Sequence, residues 1–252
     1  MRGVLALLVA LFGLAAPASE LVIAHEDSPV HPWVYPDGRG LDLELIQSGA
    51  DRAKITVRFE VMPWKRCLAM LAAGKIDGVS SASYNQERSA YAAYPRNAAG
   101  QLDLSRCLHY DSYALYRKAG LATPSWDGEK IGGLTGAVGA QTGFSVIPQL
   151  LALGARVDDG SKDIEPIMHR VLSGRVAAAA FLSRSADHVL ATDPNFRGQI
   201  ERLDPPLVTK PYFLILRPGL SKALREKLWA GIADERQSDA FQAKLRLANA
   251  QD

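Results

Sequence analysis

The chain has little cysteine, little net charge and few long apolar runs. Its 252 residues include only two cysteines, Cys67 and Cys107, and the formal net charge is +2. So small a balance, with acids and bases interspersed, argues against a nucleic-acid partner. Beyond the first residues, no segment is long and apolar enough to cross a membrane, which takes about 20 residues. The five histidines, at 25, 31, 109, 169 and 188, show no metal-ligand spacing. His25 and His31 come closest, and two ligands do not make a site. There is no G-x-S-x-G elbow, no phosphate-binding P-loop and no strong internal repeat, so no metal and no cofactor is implied.

The amino terminus carries Arg2, an apolar run over residues 4–14 and the small-residue sequence Ala16-Pro17-Ala18. This is the pattern of a cleavable secretory signal spanning residues 1–18. The apolar run is too short for a membrane anchor, and no cysteine at the cleavage point invites a lipid. The remaining chain, about 234 residues, suffices for one large or two modest domains. In an oxidising compartment the two cysteines are expected to pair, tying the helix after Trp64 to the segment leading into Tyr113. The alternative is two buried free thiols.

The most informative stretch is residues 61–88. Trp64, Cys67, Leu68 and Leu71 fall at helical spacing, Gly74 ends that helix, and residues 76–79 read as a short buried strand. A small-residue loop, 80–83, and then Arg88 follow. Small polar residues at the carboxyl end of a strand, with a cation just beyond, are how α/β sheets hold anionic ligands. Residues 21–24, 41–53 and 55–61 precede it as strand, helix and strand, and the β-α series predicts a parallel sheet with helices on its faces.

A second series begins near Lys130, with a short strand at 131–133, a glycine-rich turn at 136–143, helices at 145–153 and 164–172 and a strand at 176–182. Residues 112–117 and 211–216 read as extended segments joining the two series, and an amphipathic tail helix carries Leu220, Leu224, Leu228 and Ile232. The predicted fold is therefore α/β and two-lobed, each lobe a mainly parallel sheet flanked by helices, with two crossing hinge strands. The first lobe takes residues 19–112 and 211–252, the second 113–210. A cleft between lobes is a favoured place for ligands.

The chain resembles the periplasmic solute-binding proteins of the polar amino acid type, which have the type II binding-protein fold and serve ABC importers. The resemblance spans nearly all of the mature chain. It rests on the order and spacing of LVIAHEDSPVHPWVYPDGRGLDLEL, PWKRCLAMLAAGKIDG, SSASYNQER, SYALYR, KIGGLTGAVGAQTGFS, LSGRVAAAAF and PYFLILRPGLSKALREKLWAGI. It implies a soluble, exported, monomeric shuttle with a small-molecule ligand and a membrane permease of an ABC transporter as partners. By motif position Arg88 grips a ligand carboxylate, for which the planar guanidinium fork is suited. Ser81 and Ser83 fall where the family offers groups to the same ligand. Trp64 falls where a ring covers the ligand, or else it is core, and Trp33 and Tyr35 are ligand candidates or simple loop packing. Thr142, Gly143 and Ser145 lie at a turn entering a helix, where they point backbone N–H groups at an anion or cap the helix.

One expected feature is missing. The family places an acid after the strand following G-R-V, to pair with an α-ammonium, and here that position is Leu182. Asp187 lies five residues too late, while Glu26 or Asp27 offers a substitute from the other side. An alternative function on the same scaffold is a cyclohexadienyl (arogenate or prephenate) dehydratase, which needs a cleft acid of raised pKa; Glu26, Asp27 and Glu165 are the candidates. A third is a protein that presents its ligand to a receptor or a redox enzyme.

Overall fold

A computed structural model describes residues 20–249, so the signal sequence read over residues 1–18 lies outside the described residues. The chain runs β1 (Leu21–Glu26), α1 (Leu41–Arg52), β2 (Val57–Met62), α2 (Trp64–Ala72), β3 (Gly78–Ser83) and β4 (His109–Lys118). It continues through a small hairpin, β5 (Ser125–Trp126) and β6 (Ile131–Gly132), to β7 (Val138–Gln141), α3 (Ile147–Ala152), β8 (Val157–Ser161), α4 (Ile164–Leu172) and β9 (Ala178–Leu182). Then come α5 (Ser183–Thr192), β10 (Ile200–Leu216), α6 (Lys222–Arg236) and α7 (Asp239–Asn249). None of the described helices is long and apolar enough to cross a membrane.

Eight strands form one curled sheet in the order β2-β1-β3-β10-β4-β9-β7-β8. Pairing is parallel within each half, β1 with β2 and β3, and β7 with β8 and β9. The two halves meet through β10 and β4, which are antiparallel to each other and to their outer neighbours. This is the expected two-lobed α/β fold with two crossing strands. Both crossing strands are longer than their apolar cores suggested, because polar residues on them still pair with neighbours. β10 accommodates Pro205 and Pro206 where its register with β4 shifts between Leu203 and Val208.

The helical periodicities are realised. α1 buries Leu45, Ile46 and Ala50 against Leu228, Trp229 and Ile232 of α6, and the Trp229 indole donates to the Leu214 carbonyl at 2.8 Å. Gly74 adopts φ 65° just beyond α2, the left-handed conformation that ends a helix at glycine.

Three local readings need correction. Residues 80–83 are not a loop but the body of β3, disguised because the strand is built from small buried residues; Ser81 sits within it at φ 56°, and β10 shifts register opposite. The glycine-rich stretch 136–143 holds β7, one of the sheet's own strands. Gly139 is required there by packing, since a Cβ would fall 2.5 Å from Ile167 Cγ2 of α4. Residues 131–133, read as the first strand of the second series, form a strand only over Ile131–Gly132, which pairs with β5 outside the main sheet.

The expected disulfide is also corrected: Cys67 and Cys107 are both free and buried. Cys67 Sγ faces the carbonyls of His25 and Met62 at 3.5 and 3.4 Å, whereas the Cys107 thiol interacts with the Tyr110 phenol. Burial pushes Cys67 up to about 12 and raises Cys107, so both stay as thiols.

Candidate functional site

The strand ends nearest the crossing open onto one cavity between the two halves. Its wall on the first side is made by Glu26, Val30, Val34, Trp64, Ser80, Ser81, Ser83 and Arg88; His109, Tyr113 and Tyr212 come from the crossing strands, and Phe144, Ser145 and Leu182 from the second side. The halves are drawn nearly shut. A water-sized sphere can centre itself in only about 30 Å³ of the space, room for about two waters.

Arg88 is the hub of the closure. It lies in a single 3₁₀ turn after β3 and is 4% exposed. Its Nη1 donates to the Ser83 carbonyl and its Nη2 to the Gly143 carbonyl across the cleft, both at 3.1 Å. The guanidinium lies 5.2 Å from the centre of the Trp64 ring, and the Trp64 indole donates to the same Gly143 carbonyl at 3.3 Å. Protein carbonyls thus account for two of five guanidinium donors. Ser83 and Ser145 hydroxyls meet across the cleft at 2.7 Å. Lys210 on β10 donates to the Ser145 carbonyl at 2.8 Å, and burial together with nearby Arg88 pushes its ammonium down. Arg88 thus lines this end of the cavity, with Lys210 behind Ser145.

The other end is acidic. Glu26 closes β1, is 6% exposed, and its Oε1 is buried without a hydrogen-bond partner. Burial, then the charges of Asp27 and Asp163, push its carboxyl up to about 8, against a lowering by Lys162. At neutral pH it is mostly a neutral acid. The same cavity is lined by Ser80, whose hydroxyl has no partner among the described residues, and by His109. His109 Nδ1 is 2.9 Å from Asp42 Oδ1, and the other Asp42 oxygen accepts from Ser81 Oγ. The imidazole is sandwiched between Trp33, 3.8 Å away, and Tyr212, 4.7 Å away, each within 7° of parallel.

Of the residues singled out by sequence, Arg88, Ser81, Ser83, Trp64, Ser145 and Glu26 are brought to this cavity. Leu182 lines it too, at the position where an acid was missing. Gly143 does not line it; its carbonyl accepts from Arg88 and Trp64. Thr142 and Trp33 do not line it. The Thr142 hydroxyl donates to the carbonyls of Asp159 and Ser161, so it neither caps α3 nor faces the cleft. α3 starts at Ile147 with Val146 at its cap position and no side-chain cap, which removes the capping role for Ser145 as well. Trp33 packs behind His109 and donates to Asp111 at 3.0 Å.

The remaining acids lie elsewhere. Asp27 pairs with Lys162 across the lip of the cleft at 2.8 Å. Tyr35 and Glu165 line a separate groove at that lip, and Asp187 is held by Tyr116 and Arg202. Sequence reasoning did not identify Asp42, Ser80, His109, Tyr113, Phe144 or Tyr212. The first of these had one visible signal, an acid in the first turn of an apolar helix; His109 had none, since its partners lie 67 and 76 residues before it.

A two-lobed α/β fold that brings polar side chains of both halves onto one inter-lobe cavity defines a solute-binding protein. The sequence profile of the bacterial extracellular solute-binding proteins, family 3, matches residues 21–243, and the chain belongs to that family. No curated protein matches the chain in sequence. Solved structures share the fold. The GluR0 ligand-binding core from Nostoc punctiforme in complex with (L)-glutamate superposes with TM-score 0.69 at 17% identity, covering 88% of this chain and 96% of that one. An ancestral arginine-binding protein bound to glutamine gives 0.67 at 20% identity over 90% and 96%. A histidine kinase sensor domain with similarity to periplasmic binding proteins gives 0.69 at 14% over 92% and 95%.

Proposed function

We propose that the protein is exported to the periplasm, captures a small carboxylate-bearing solute between its lobes as a monomer, and delivers it to the membrane permease of an ABC importer. The observation that carries this reading is Arg88, buried on the cavity wall beside Lys210 and bridging to the Gly143 carbonyl of the other half. A carboxylate entering between the lobes substitutes for that carbonyl as the acceptor of Arg88 Nη2 and is better matched to the guanidinium fork. Structural neighbours named for glutamate, arginine and glutamine support a solute of amino-acid size. The test is a thermal-shift screen against amino acids, dicarboxylates, amines and cyclohexadienyl acids. A solute at 100 times its Kd adds about 2.7 kcal/mol of stability, and Arg88→Ala removes the shift. Unchanged binding of the best hit by Arg88→Ala refutes the carboxylate grip.

Glu26 favours a second reading. A buried, neutral acid facing the cavity has the property a dehydratase needs to protonate a leaving hydroxyl. Formation of product from prephenate or arogenate by the wild type, abolished in Glu26→Gln, establishes this reading; no turnover by the wild type excludes it. Presentation of the ligand to a receptor is supported only by the fold shared with a sensor domain, and binding without any permease contact is the result that favours it.

A further inference from the structure

The proposed carboxylate grip uses one end of the cavity and leaves the other unexplained. Four polar atoms of cavity-lining residues are buried without a partner among the described residues; one of them, Tyr212 Oη, lies against the Tyr113 phenol, which leaves Glu26 Oε1, Ser80 Oγ and His109 Nε2. They come from the end of β1, the middle of β3 and the start of β4. An unpaired buried polar atom costs about 1–3 kcal/mol, and three together on one wall mark a place that a ligand's polar group completes.

His109 is the most constrained of them. Its ring is fixed in plane by the stacking of Trp33 and Tyr212, and its Nδ1 is committed to Asp42. An imidazole whose Nδ1–H donates to a carboxylate presents its other nitrogen as an acceptor. Asp42 is itself fixed, 0% exposed, with its second oxygen held by Ser81. The chain Ser81–Asp42–His109 thus sets the tautomer and aims Nε2 into the cavity. Packing alone requires neither the carboxylate behind the ring nor the bare nitrogen in front of it.

Building on the carboxylate reading above, we propose that His109, oriented by Asp42, is a ligand-contacting specificity residue. It accepts a hydrogen bond from a hydroxyl or amino group carried by the solute away from its carboxylate, and Ser80 and Glu26 complete the same pole. Ser80 and Ser83, three residues apart on β3, mark the two poles, so the separation is at most about 10 Å. Trp64, Phe144 and Leu182 supply apolar walls for a short carbon chain or ring between them.

The test compares pentanoate, 5-hydroxypentanoate and 5-aminopentanoate, with 1-pentanol and pentylamine as donors lacking the carboxylate, by thermal shift and calorimetry. The variants are His109→Asn, whose amide keeps a donor for Asp42 but has no atom at Nε2, and Ser80→Ala. The expected result is that at least one donor-bearing acid binds the wild type about tenfold tighter than pentanoate, the equivalent of one hydrogen bond. His109→Asn abolishes that advantage, so that the three acids bind the variant equally, whereas a merely structural role would weaken all three by the same factor and leave the advantage standing. The hydroxy and amino arms identify which donor the pole takes. Equal binding of the three acids by the wild type, or an advantage that survives His109→Asn, overturns the proposal while leaving the carboxylate grip standing. If His109→Asn does not fold, an advantage of the donor-bearing acids that Ser80→Ala leaves untouched overturns it. Binding of the alcohol or amine but of no acid, or of no probe at all, brings down the carboxylate reading and this one with it.

Discussion

Glu26 makes the stability of the protein depend on pH in a direction opposite to that of most carboxylates. Its ordinary value is 4.5, and the folded environment pushes it up to about 8, first by burial and then by Asp27 and Asp163. Below pH 4.5 the folded and unfolded chains both hold the proton, and the contribution is present in full. Between 4.5 and 8 the folded protein keeps a proton that the unfolded chain has released, so stability falls by 1.36 kcal/mol per unit, about 5 kcal/mol over the window. The loss is complete once the pH has risen through 8. Glu26→Gln keeps the shape and removes the titration. Urea unfolding of wild type and variant at pH 5, 6.5 and 8.5 should therefore show the variant gaining on the wild type by about 4 kcal/mol across the series. Other titrating groups cancel in the comparison. A difference between the two proteins that stays constant within about 1 kcal/mol from pH 5 to 8.5 would refute the reasoning, because Glu26 would then be no more hindered from ionising when folded than when unfolded.

Other consequences follow from the same structure. Arg88→Lys should weaken carboxylate binding at least tenfold in calorimetry, since a point charge cannot reproduce the fork that spans Ser83 and the cleft. Gly139→Ala should lower stability by about 1–3 kcal/mol in denaturant unfolding, because the new Cβ meets the fully buried Ile167 at 2.5 Å; a neutral outcome would show that α4 moves freely from β7. With the thiol of Cys67 pushed up to about 12 and that of Cys107 also raised, the native protein at pH 8 should be inert to thiol reagents and release two thiols on unfolding. Its melting temperature should not change with reductant, and a drop on reduction would restore the disulfide.

Much of the fold could be read from spacing. α1, α2, α4 and α6 show their apolar stripes, β1 and β9 their buried runs and β2 its alternation, because these elements satisfy one packing surface each. The failures share a cause: β3 beyond Val79, β7 and β8 consist mainly of serine, glycine, alanine and aspartate, with a single valine opening each of β7 and β8, so they carry no hydrophobic period and are strands because a neighbouring backbone pairs with them. The site divides along the same line. Arg88, Trp64 and Glu26 stand beside recognisable elements and lie on the cavity wall. Asp42, Ser80, His109 and Tyr212 come together only when three strands and a helix start are placed side by side, and no local pattern records that. Cys67 and Cys107 show the converse: the count suggested a bond, but the thiols have different neighbours.

The stack of Trp33, His109 and Tyr212 joins a loop of the first half to both crossing strands, with His109 on β4 and Tyr212 on β10. Its central ring is also part of the cavity wall. The pivot and the recognition surface are consequently one object. A substitution at this ring is therefore expected to change solute affinity and lobe closure together.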